Sequence, residues 1–184
     1  VSQTGWLLDE LLAPAWREAR LPGPLFILGH QRSGTTLLQR RLVRDVPGAT
    51  ALQLHEMLLP ATSLQRGLDG LGRLDHALGQ PLSRALDRAQ QRLFGPLDPI
   101  HRIRFDAIEE DEFVLWSIYA SAMCVNDAPS TTGLGELDEL RHFHGWPVTR
   151  QAEALGWYRA CLLKKVQRAG EARRVVSKNP AFTH

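Results

Sequence analysis

The sequence predicts a helix-rich α/β fold, a P-loop-like parallel sheet flanked by helices. Three observations lead there. Leu25-Phe-Ile-Leu28 is a continuous apolar run, the pattern of a strand buried on both faces of a parallel sheet. Gly29 to Gly34 is a glycine-bounded loop that opens directly into a helical pattern. Arg174-Val-Val-Ser177 is a second buried-strand pattern, reached only after several helices. Strand, loop, helix, more helices and strand again is the order of an α/β chain.

The elements follow in sequence. Thr4 to Ala19 reads as an amphipathic helix with Leu7, Leu8, Leu11 and Leu12 on one side, ended by Pro22-Gly23-Pro24. A helix is expected from Thr35 to Asp45, where Leu37, Leu38, Leu42 and Val46 recur at helical spacing. Thr50 to His55 reads as a short second extended segment. Pro81 to Phe94 is a clean helical pattern, whereas 60–80 suits either helix or loop. Asp106-Ala-Ile-Glu109 has capping-box form and predicts a helix running to Val125. Thr149 to Gln167 predicts a long helix. Residues 1–184 read as one domain, with a helical insertion over about 60–170.

Composition narrows the function classes. Of 184 residues, 43% are hydrophobic and 23% charged, which excludes a disordered or collagen-like chain. The net charge of +2 is too balanced to announce nucleic acid or an anionic membrane, so anion binding has to come from placed groups. The near-uncharged run Phe113 to Val125 is too short and too polar to span a bilayer. Cys124 and Cys161 match no metal spacing and read as buried thiols in a reducing, cytoplasmic compartment.

The chemistry sits in Phe26 to Leu38, FILGHQRSGTTLL. The first N–H groups of a helix lack acceptors within it and carry partial positive charge, so a concave loop entering a helix binds phosphate. Gly29 allows the tight turn and Gly34 a close backbone approach; Ser33, Thr35 and Thr36 add hydroxyls. The spacing Gly29-x4-Gly34 is that of a P-loop, but Thr35 stands where the nucleotide-binding Lys belongs. Arg32 is the loop's strong cation.

Arg32-Ser-Gly-Thr-Thr36 after an apolar strand resembles the 5′-phosphosulfate loop of sulfotransferases that use 3′-phosphoadenosine 5′-phosphosulfate (PAPS). The likeness is closest to the bacterial branch with Arg in that loop. Leu54-His-Glu-Met-Leu-Leu-Pro60, Glu109-Glu-Asp-Glu-Phe113 and Val175-Val-Ser-Lys-Asn-Pro180 resemble further segments of that branch, in the same order. The resemblance implies transfer of a sulfuryl group from PAPS to an acceptor hydroxyl or amine, leaving PAP and needing no metal. It assigns cofactor binding to Gly29, Gln31, Arg32, Ser33, Gly34, Thr35 and Thr36, with Arg32 on the leaving phosphate oxygen. It puts Lys178 against the sulfuryl or 5′-phosphate group. The acceptor's base falls on Glu56, with the adjacent His55 as the other candidate. The acceptor itself, whether carbohydrate, peptide or small molecule, is not legible. The family's 3′-phosphate site would follow His184, so the chain is expected to be the N-terminal part of a larger domain. A P-loop kinase or NTPase, and an inactive anion-binding or interaction module, are the alternatives.

Other features have plainer readings. The acids Glu109 to Glu112 suit a first helical turn. Lys164, Lys165, Arg168, Arg173 and Arg174 suit a solvated helix end. Phe143 and Trp146 are candidates to line an acceptor pocket, and His142 and His144 lack the partners of a zinc site.

Overall fold

The computed structural model describes residues 2–30, 33–95, 103–121, 143–170 and 173–179. Helix α1 (Ser2–Leu12) is followed by a 3₁₀ turn at Pro14–Arg17, then β1 (Leu25–Ile27), α2 (Thr35–Asp45) and β2 (Ala49–Thr50). Helices α3 (Leu54–Leu58), α4 (Thr62–Ala77), α5 (Pro81–Phe94), α6 (Glu112–Trp116) and α7 (Val148–Ala169) lead to β3 (Arg174–Lys178). The three strands form a parallel sheet in the order β1-β3-β2, so the last strand lies between the first two. The α/β class with a small parallel sheet is therefore as the sequence predicts.

β3 is the spine of the core. Val175, Val176, Ser177 and Lys178 are all buried. On one side Val175 joins Leu52, Leu54, Met57, Val114, Leu162 and Val166 in the main apolar cluster. Each such side chain is worth about 1.5–3 kcal/mol when fully withdrawn from water. On the other side Val176 packs with Ile27 and Ala49 under Leu42 and Val43 of α2. Gln39, fully buried on α2, donates to the Val176 carbonyl at 3.0 Å and ties the helix to the sheet.

Several elements differ from expectation. β1 is not buried on both faces: Leu25 and Phe26 are 41% and 45% exposed, and only Ile27 is buried. It pairs with β3 alone among the described residues. An apolar run reports a wish for burial, not whether neighbours exist to provide it. The first helix stops at Leu12 because Pro14 breaks it, and its leucines face solvent while Asp9 is buried. The second extended segment shrinks to Ala49–Thr50, and His55 and Glu56 stand on α3. Asp106 caps nothing: Ile108 bridges Gln53, and the helix begins only at Glu112.

Candidate functional site

β1 and β3 run side by side, with Ile27 opposite Lys178. The loop after β1 and the end of β3 therefore meet at the carboxyl edge of the sheet, where open parallel sheets place ligands. Gly34 caps α2 at φ 81, a left-handed conformation that only Gly adopts freely. Among the described residues a Cβ there would meet nothing within 4 Å, so the backbone at Gly34 is open to approach on that side. At Gly29 a Cβ would lie 2.9 Å from the Thr35 methyl; the loop folds back on itself at that point. The Ser33 hydroxyl and amide both donate to the His30 carbonyl, at 2.6 and 3.3 Å, which leaves the amides that follow it for a ligand. Gln31 and Arg32 lie outside the described residues.

Lys178 is the cation that the structure does bring to this loop. Its ammonium donates to Thr36 Oγ1 at 2.9 Å and to Glu110 Oε1. Its side chain is 4% exposed, so it is not a solvated lysine. Two clamps fix it. The Asp111 amide donates to the Lys178 carbonyl at 3.0 Å. The Asp111 carboxylate accepts from Tyr158 Oη at 2.7 Å, and that oxygen lies 2.7 Å from Ser177 Oγ. Burial pushes the Asp111 carboxyl up to about 7, against the pull of these hydrogen bonds and of Lys178.

The acidic run is thus not a dipole complement. Only Glu112 lies in a helix, and each acid has its own duty. Glu109 takes Arg40 at 3.3 Å, Glu110 takes Lys178, Asp111 takes Tyr158, and Glu112 accepts from Ser121 at 2.7 Å.

The two base candidates stand in different surroundings. Glu56 is 5% exposed and accepts from Lys165 at 2.9 and 2.8 Å, from Arg168, and from the Gln53 amide at 2.9 Å. Burial acts to raise its pKa, but the Lys165 charge and these hydrogen bonds outweigh that and hold the carboxyl below its usual range. A carboxylate so held has little affinity for a proton, which argues against the base role that the sequence prefers. The cavity beside it, lined by Thr62, Gln65, Cys161, Lys165 and Arg168, is about 20 Å³, room for about one water. His55 is half-buried, and its Nδ1 lies 2.9 Å from the Phe105 carbonyl. A carbonyl only accepts, so Nδ1 is the donor in this contact and Nε2 is the nitrogen that accepts in the neutral ring.

The basic stretch at the end of α7 is likewise not a solvated patch. Lys164, 3% exposed, pairs with Asp9 at 2.6 Å and sits over the Trp6 ring at 3.1 Å; Lys165 and Arg168 hold Glu56. Sequence spacing could not show these partners, which lie more than a hundred residues apart. Trp146 is buried in the main cluster, and Phe143 is partly buried against it. Burial pushes the Cys161 thiol up to about 12, so it is inert. Cys124 and His142 lie outside the described residues.

Comparison of the chain with family models, characterised proteins and solved structures gives no match. Among the described residues no three His, Cys, Asp or Glu are grouped to hold a metal ion, and no helix is long and apolar enough to cross a membrane.

Proposed function

We propose that the chain carries the phosphosulfate-binding part of a PAPS-dependent sulfotransferase. The observation that carries this reading is the 2.9 Å hydrogen bond from Lys178 to Thr36. It joins the cation at the end of β3 to the first turn of the helix behind the glycine loop, two motifs separated by 142 residues. The open backbone before α2 and the buried ammonium fit a phosphosulfate, and the absent P-loop Lys disfavours nucleotide hydrolysis.

In this reading the amides of Gly34, Thr35 and Thr36 hold the 5′-phosphate and Lys178 neutralises a non-bridging oxygen. Arg32, by its forked guanidinium, steadies charge on the leaving oxygen. PAPS supplies the sulfuryl group, transferred in line to an acceptor hydroxyl or amine. His55 Nε2 takes the acceptor's proton; Glu56 orders α3 instead. Lys178 also holds Glu110, which has to yield when an oxyanion arrives.

Sulfate transfer from labelled PAPS, measured for wild type and Arg32→Ala, is the test. Removing the guanidinium is expected to lower turnover at least about 100-fold. Equal transfer by both proteins would sink the assignment of the loop, and magnesium-dependent ATP turnover would point to a nucleotide hydrolase.

A further inference from the structure

The α4–α5 hairpin wears its apolar side outward. Leu71, Leu74 and Leu78 along α4 and its turn, and Leu82, Leu86 and Leu93 along α5, are all 48–67% exposed. Each set recurs at helical spacing, so each helix presents a leucine stripe. Neither stripe anchors its helix. α5 is fixed through Gln90, buried and accepting from the Phe105 amide at 2.8 Å, and through Phe94, edge-on to Phe105. Continuous apolar exposure on this scale marks an interaction surface.

The charges on the hairpin identify the partner. Residues 62–94 hold five Arg and three Asp, with no Lys or Glu. All three aspartates are committed elsewhere. Asp69 accepts from Arg168 at 3.3 Å and Asp87 from Arg104 at 2.9 Å. Asp75 is buried and caps α5, accepting from the Leu82 and Ser83 amides at 2.7 and 2.9 Å. Arg84 and Arg88 donate to backbone carbonyls and stay exposed, as do Arg66, Arg73 and Arg92. Arg66, Arg73, Arg88 and Arg92 form no ion pair with described residues.

A leucine stripe on one side of each helix, with arginines on its polar side, matches a surface that is apolar below and anionic above. We infer that the α4–α5 hairpin docks on an anionic lipid surface, with its leucines in the acyl boundary and its arginines among the headgroups. The chain's balanced net charge conceals this, because Asp75 is buried at the start of α5 and Asp69 and Asp87 are paired with arginines outside the hairpin. The inference does not depend on the sulfotransferase reading.

Co-sedimentation with vesicles tests it, using phosphatidylcholine alone and phosphatidylcholine mixed with phosphatidylglycerol. The chain is expected to pellet with the mixed vesicles, weakly with the neutral ones, and less as salt rises. Leu82→Ser with Leu86→Ser is expected to weaken partitioning about tenfold, with circular dichroism unchanged because both leucines are exposed. Arg88→Gln with Arg92→Gln is expected to weaken binding to the mixed vesicles only. No pelleting, or equal pelleting with both lipids, would overturn the inference. So would sedimentation showing a dimer that the leucine variant dissolves, which would assign the face to a second copy.

Discussion

Two pairings of cation and carboxylate lie at the candidate site positions, and they are built differently. At Glu56 one carboxylate is over-determined: Lys165, Arg168 and the Gln53 amide all donate to it. At Lys178 the cation has one acid, Glu110, which remains 29% exposed, and one hydroxyl, Thr36. The first arrangement resists change and suits structure. The second can exchange its acid for another anion and suits a site.

The largest effect is expected from breaking the first. Glu56→Ala leaves Lys165 without its acid and Arg168 with Asp69 alone, and should cost about 3 kcal/mol or more in urea denaturation. A catalytic base would instead lose turnover at unchanged stability.

The pH dependence of stability sharpens the contrast between Glu56 and the Asp111 behind Lys178. Glu56, with its pKa held below the ordinary 4.5, stabilises the fold above that pH, and this is lost as pH falls through its folded pKa. Asp111 has the opposite sign. Its contribution is complete below its ordinary 3.8 and is lost as pH rises through about 7. Asp111→Asn keeps the shape without the titration. The stability difference between wild type and variant should then change by about 1 kcal/mol per pH unit between these values. A flat difference would show that the carboxyl is not held neutral.

His55→Ala should reduce sulfate transfer about 100-fold with little loss of stability, the reverse of Glu56→Ala. Smallest is Glu110→Gln, which frees the Lys178 ammonium. Inorganic sulfate or PAP should bind severalfold more tightly by calorimetry, roughly 1 kcal/mol. Weaker binding would mean that Glu110 positions Lys178 rather than occupying it.

The sequence showed those parts of the site that local pattern encodes. The apolar run at Leu25, the glycines at 29 and 34, and the second apolar run ending at Lys178 placed both strands and the loop between strand and helix. It did not show what is decided across the fold. That Glu56 faces α7 and Lys178 faces Glu110 depends on segments meeting over separations of 109 and 68 residues. The apolar pattern at Leu25 and Leu82 was visible, but burial needs a neighbour, and a single segment's pattern cannot supply one. Leu54 and His55 read as extended because α3, from Leu54 to Leu58, is too short to show a helical period.

The aromatic contacts around Lys164 make the attachment of α1 optically readable. Trp6 stacks on Trp157 at 4.2 Å and meets Trp16 edge-on at 5.8 Å, with an ammonium above the first ring. Indoles this close couple their electronic transitions, and a charge at the ring face perturbs emission. Peeling α1 from α7 would therefore change the near-ultraviolet dichroism and the tryptophan fluorescence together, while the far-ultraviolet helical signal hardly moves. The molecule carries its own probe for the undocking of its first helix.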